Sequence, residues 1–146
     1  VRKIVWLFLL LIFISFGYWF INESKPPSPR ITVEGKNIPT AQGSYCWDGF
    51  FNNMCVDMIS PPQIVEHEGL APVVVPPGAQ LKIDFQKEPT KGTLGVNKWM
   101  SNHDVKNAKL NGNILTVPKE KGIHIYDVHA SWDKGDSSYV FVIEVQ

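Results

Sequence analysis

Apolar positions run unbroken from Ile4 to Ile21, and no charged side chain interrupts them. Ser15 is the one clearly polar side chain in that stretch. At ~1.5 Å rise per residue, a helix over it nearly matches a ~30 Å hydrocarbon core. Beyond residue 30 the pattern changes to short segments that alternate apolar and polar, broken by Gly, Pro and Asn. Such alternation predicts strands with one buried face. The segment 79–85 places Leu81, Ile83 and Phe85 on one side. ITVEGK (31–36) suits an edge strand, VVVPPG (73–78) a strand and turn, and 94–99 a less regular strand carrying Leu94, Val96 and Trp99. NGN at 111–113 marks a hairpin turn. The clearest pair is 123–132 and 138–146, joined through DKGDS and expected to be antiparallel neighbours. In the first, Tyr126, Val128, Ala130 and Trp132 share a face, opposite Asp127, His129 and Ser131; in the second, Tyr139, Phe141, Ile143 and Val145 share a face. SNHDVKNAKL (101–110) is read as a short helical turn.

These elements predict a mainly β chain in three parts. Residues 1–21 form an N-terminal membrane anchor or signal segment, 22–30 a Pro-rich tether, and 31–146 one exported domain. A sheet with one apolar face needs a second layer, so a β-sandwich preceded by a single transmembrane helix is expected, with a small β-barrel as the alternative. Arg2 and Lys3 precede the apolar run and Glu23 follows it, which keeps the N-terminus inside and the domain extracytoplasmic. A cleaved signal peptide shares the basic start, and would leave the domain secreted. Bulky Tyr18-Trp19-Phe20-Ile21 stands where a cleavage site needs small residues.

Composition narrows the partners. The 14 basic residues equal the 14 acidic ones, so without Arg2 and Lys3 the exported part is slightly acidic. No dense basic cluster offers the positive field that nucleic acid requires. The expected partners are the membrane, through 4–21, and an envelope protein or cell-wall ligand. The oligomeric state is open, and no cofactor is implied.

Candidate chemistry concentrates in GSYCWDGFFNNMCVD (43–57), which holds Cys46 and Cys55. In an oxidising compartment these two predict a structural disulfide. The thiols are too widely spaced for C-x-x-C exchange chemistry, and no compact Cys or His pair supports zinc. Trp47, Phe50 and Phe51 either close the core or form an aromatic contact patch, with Asp48 and Asp57 beside it. The four histidines, His67, His103, His124 and His129, include no same-face pair on a regular strand. DKGDSS lacks the ligand order of an EF-hand loop. No G-x-S-x-G, G-x-G-x-x-G or Walker A pattern occurs. The expected function is therefore binding. An envelope enzyme with an Asp/His pocket and a structural or assembly domain are the alternatives.

The closing strands, YDVHASW, a hairpin and FVIEV, resemble the final hairpin of immunoglobulin-like domains, with Tyr126 near a tyrosine-corner position. The early, closely spaced cysteines depart from the immunoglobulin Cys–Trp–Cys framework. IPTAQGSYCW (38–47), CVD (55–57) and YDVHASWDKGDSSYVFVIEV (126–145) together resemble a group of exported, membrane-anchored β-domain proteins of Gram-positive bacteria. That resemblance implies an anchored, exported β domain and assigns no catalytic role.

Overall fold

A computed structural model describes residues 2–49 and 53–146, without the side chains of 19–23. Helix α1 (Arg2–Glu23) presents apolar side chains on every side; Trp6 and Phe13 are 71% and 79% exposed. It lacks the polar stripe of a surface helix. The Ser15 hydroxyl donates to Leu11 O at 2.8 Å, so its polar group is satisfied within the helix. Among the described residues no helix is long and apolar enough to cross a membrane.

The tether is shorter than expected. Pro29 already starts a strand and is buried, which leaves 24–28 as the link. Proline is tolerated at a strand start because its missing N–H is not needed there. The Tyr139 hydroxyl donates to Pro26 O at 3.2 Å and fastens the link to the domain.

The domain follows in chain order as β1 (Pro29–Val33), β2 (Lys36–Ile38), β3 (Ala41–Asp48), β4 (Asn53–Val56), helix α2 (Pro61–Glu68), β5 (Val73–Val75) and β6 (Gln80–Phe85). Then come β7 (Gly95–Trp99), β8 (Val105–Ala108), β9 (Leu110–Asn111), β10 (Ile114–Thr116), β11 (Gly122–Trp132) and β12 (Gly135–Val145). One sheet has the order β2-β1-β6-β10-β9; the other runs β4-β3-β12-β11-β7-β8. Pairing is antiparallel except that β5 lies parallel to β12 at 143–145, beyond the residues that β3 pairs. The β1–β2 turn sets Glu34 and Gly35 at φ 48° and 78°, the left-handed pair that matches the twist of a two-residue hairpin.

The two sheets pack face to face. Ile31, Leu81, Ile83, Phe85 and Leu115 from one meet Val96, Tyr126, Val128, Trp132, Phe141 and Ile143 from the other in one core. Every inward residue expected on 79–85 and on the two closing strands is buried. Phe85 meets the edge of Trp132 at 5.1 Å across the two layers, and Tyr126 stacks on Phe141 at 5.3 Å within the larger sheet. The closing hairpin is tighter than expected. Trp132 pairs with Gly135, so the turn is Asp133-Lys134 alone.

Three elements differ from expectation. Strand β1, expected at an edge, lies between β2 and β6. Residues 101–110 form no helix; bends lead into β8. The helix lies instead at 61–68. Ser60 N donates to Gln63 Oε1 at 3.3 Å, Pro occupies the first turn, and Gly69 closes the helix at φ 63°. This S-P-P-Q…G string carries recognisable start and stop signals. Helix α2 packs on β12, β3 and β11, on the side away from the sandwich core. Ile64 is 2% exposed there, and Val140 and Val142 are buried although they face away from Phe141. Strand β12 is therefore covered on both faces.

Replacing Ile64 by Ala should destabilise the domain by about 2–4 kcal/mol, and Phe141→Ala by about 3–5 kcal/mol. Val74→Ala, at a half-exposed site, should stay within about 0.5 kcal/mol. Urea unfolding of the three variants measures this. An Ile64→Ala loss as small as that of Val74→Ala would show that α2 does not form a second packed layer.

Candidate functional site

The cysteine segment folds as the hairpin β3–β4 at one edge of the larger sheet. Its register sets Tyr45 opposite Val56, Cys46 opposite Cys55 and Trp47 opposite Met54. Cys46 and Cys55 are disulfide-bonded, with Sγ–Sγ 2.00 Å and Cα–Cα 4.0 Å. The bridge spans directly facing residues on adjacent strands. Its neighbours Tyr45 and Trp47 turn toward the core, as strand alternation requires.

Trp47 is consequently a core residue and not an exposed contact. It is 4% exposed and meets Trp132 edge-on at 5.9 Å. The odd-numbered positions of β3 face the opposite sheet, so the contact role expected of Trp47 is withdrawn. Phe50 and Phe51 lie outside the described residues. Asp48 is exposed at the end of β3, and its N–H donates to Lys134 O at 2.7 Å. Asp57 is also exposed and accepts from the Ser44 hydroxyl at 3.3 Å. Ser44 also receives Met58 N–H at 2.9 Å, which ties the outgoing chain to β3. Met54, Met58 and Ile59 are exposed along this edge, at 48%, 37% and 49%. Gly135 passes so close to Cys46 O that a Cβ would overlap it. This is where the closing hairpin meets the disulfide strand.

A polar cluster on the outer face of the same sheet was only half expected. Asp127 is 6% exposed and accepts from the Trp99 indole N–H and from Asn97 Nδ2 at 3.3 Å. His129 Nδ1 lies 3.3 Å from Asp127 Oδ2. Strand parity placed Asp127 and His129 together, whereas Trp99 was grouped with inward Val96. Alternation from Val96 puts Asn97 and Trp99 outward instead, onto Asp127. Gly95 leaves room for the His129 ring, whose Nε2 occupies the space a Cβ would fill. Ser138 pairs opposite His129, but its hydroxyl donates to Ser44 O at 3.0 Å. Acid, imidazole and hydroxyl therefore do not form a nucleophilic relay.

The other histidines serve locally. His124 is buried with Nε2 2.8 Å from Glu120 O; His67 is exposed beside Glu68, and His103 is exposed in a bend. Among the described residues no group of three or more His, Cys, Asp or Glu side chains could hold a metal.

At the opposite edge of this sheet the two layers part. A groove of about 750 Å³ opens between β7–β8 on one side and β9–β10 on the other. Lys98, Lys106 and Lys109 line it, along with Leu110, Leu115 and Tyr126. The three lysines carry no signal in the sequence, because their spacing matches no motif; only cross-strand register brings them beside Tyr126. Burial, and then the carboxylate of Glu120, push the Tyr126 hydroxyl from 10.0 up to about 12. Burial also raises the Tyr139 hydroxyl.

No protein-family model, curated protein or solved structure matches the chain.

The Tyr126 shift has a consequence at alkaline pH. The unfolded chain releases this proton near 10, whereas the folded domain holds it to about 12. The associated stability is complete below pH ~10 and is lost as pH rises toward ~12. Phenolate absorbance should show a last ionisation step that disappears in Tyr126→Phe. A Tyr126→Phe curve identical to that of the parent would contradict the assignment.

Proposed function

We propose that this chain is a membrane-tethered, extracytoplasmic binding domain that presents the disulfide-locked edge hairpin to an envelope partner, a protein or a cell-wall component. The observation that carries this reading is the Cys46–Cys55 bridge across facing residues of an edge hairpin, beside exposed Met54, Met58 and Ile59. Exposed apolar side chains on a stiff element bind at low cost in conformational entropy. Asp48 and Asp57 are its polar border, and Phe50 and Phe51 fall between β3 and β4 in the sequence, outside the described residues.

Three further points support the tether and the compartment. Helix α1 is apolar on all sides, which favours lipid over water. Arg2 and Lys3 at its start orient it with the domain outside. A disulfide persists in an oxidising compartment. The likeness of the cysteine and closing segments to anchored, exported β-domain proteins of Gram-positive bacteria agrees with this, as does the immunoglobulin-like form of the closing hairpin.

A photo-crosslinking residue at Met54, in the native cell, should give a discrete adduct that the same probe at Val74 does not. The double variant Cys46→Ala/Cys55→Ala should lose stability by about 2–3 kcal/mol and lose the adduct while retaining its near-ultraviolet circular dichroism. Equal labelling at Met54 and Val74 would count against a hairpin-specific partner. For the tether, Leu10→Lys/Ile12→Lys should move the chain from the alkali-washed membrane to the soluble fraction, since each lysine costs about 3 kcal/mol at the bilayer centre. A parent chain already in the soluble fraction would refute the anchor.

A further inference from the structure

The groove at the far edge of the larger sheet has an unusual inner wall. Tyr126 pairs with Lys98, and Lys98 pairs with Lys106, so the three stand in one row across β11, β7 and β8. Directly facing residues share a face of the sheet. Tyr126 and Val96 both point into the core, so Lys98 and Lys106 occupy core-facing positions where the opposite sheet has run out. Lysines directly across an antiparallel pair repel each other. The relief within the chain is slight. Lys98 has only 20% of its side chain exposed, and its salt bridge to Glu120 spans 3.8 Å to a carboxylate side chain that is 80% exposed, a pairing worth little. Lys109 adds a third positive charge where the chain crosses between sheets, and Glu120, beside Lys98 and near enough to Tyr126 to raise its hydroxyl, is the carboxylate that stands at the groove.

Edge protection explains only part of this. Lysine on an edge strand discourages pairing with other chains, which suits Lys106 on β8. Lys98 lies on β7, flanked by β11 and β8, where no edge needs protecting. Repelling charges held at core-facing positions are relieved by an anion placed between them.

We propose that this groove binds a phosphate ester, with its oxygens held by Lys98, Lys106 and Lys109 and its organic part resting on Leu110 and Leu115. Three lysines and no arginine line the site. Lysine binds phosphate as a point charge, without the directional planar fork that arginine brings to carboxylate and phosphate alike. The Tyr126 hydroxyl keeps its proton at neutral pH and is available as a donor. This site lies at the edge opposite the disulfide hairpin and does not depend on the hairpin's role.

The test uses the full chain in neutral maltoside micelles, observed through its backbone amide resonances. Glycerol 3-phosphate should shift the amides of Lys98, Lys106 and Lys109 saturably, and added salt should weaken the effect. Glycerol should have no effect and acetate a weaker one. Lys98→Gln and Lys106→Gln should each weaken binding about tenfold. Lys109→Gln, at an exposed connection, reads the same loss where Lys98→Gln fails to fold. A second arm places the chain in phosphatidylcholine nanodiscs with or without phosphatidylglycerol. Shifts in this arm alone, dependent on phosphatidylglycerol, assign the ester to a lipid headgroup; shifts with glycerol 3-phosphate assign a soluble ester. The proposal fails if neither probe moves these amides or if acetate equals glycerol 3-phosphate. It also fails if the lysine variants associate while their phosphate response is unchanged, because the lysines then only guard the edge.

Discussion

The antiparallel pairing of β11 with β12 supports the rest of the domain. The two strands are matched residue for residue from Gly122–Val145 to Trp132–Gly135. Each turns an aromatic and aliphatic row toward the opposite sheet. Strand β12 then receives β3 along its first half and β5 along its last residues, whereas β11 receives β7. In the inward row Tyr126 on Phe141 ties β11 to β12, and Trp132, set between Trp47 of its own sheet and Phe85 of the other, joins the two layers. The outward row of β12 is buried as well, under α2. A strand with two apolar faces must lie inside a layered structure, and that central position fixes the order of its neighbours.

From this pair the larger sheet extends to two unlike edges. One ends in β4, where the disulfide takes over part of the work of packing. A short edge hairpin buries little and is marginal alone. The covalent link between facing residues holds its register while leaving Met54 and the chain after it exposed. Trp47 ties the same hairpin inward, so its outer surface is presented from a firm base. The other edge ends in β8, where the sheet outgrows its partner. Core-facing positions there meet open space, and lysines occupy them in place of aliphatic residues. The two edges therefore offer different chemistry, one apolar and stiff, the other cationic and recessed.

The outer face between them carries Asp127, held by Trp99, Asn97 and His129. A carboxylate at 6% exposure needs such partners, and the cluster accounts for the outward turn of Trp99. It joins an acid, an imidazole, an amide and an indole into one hydrogen-bonded network on this face.

Local pattern along the chain was enough to identify a mainly β domain, the inward rows of β6, β11 and β12, the hairpin turn in NGN at 111–113 and the bridge between Cys46 and Cys55. These follow from local physics: a period of two, turn residues with special backbone angles, and two cysteines close in sequence. Helix α2 was also written locally, in its Ser-Pro-Pro-Gln start and Gly69 stop, but its eight residues are too few for a clear helical period. The burial of Trp47, the outward turn of Trp99 and the row of Tyr126, Lys98 and Lys106 are different in kind. An aromatic in a turn-rich segment reads equally as core or contact, and isolated lysines read as surface charge. Which way each points depends on register with strands distant in sequence, and on where one sheet stops covering the other. Those are long-range relations that no local pattern encodes, and they alone bring the basic groove into being.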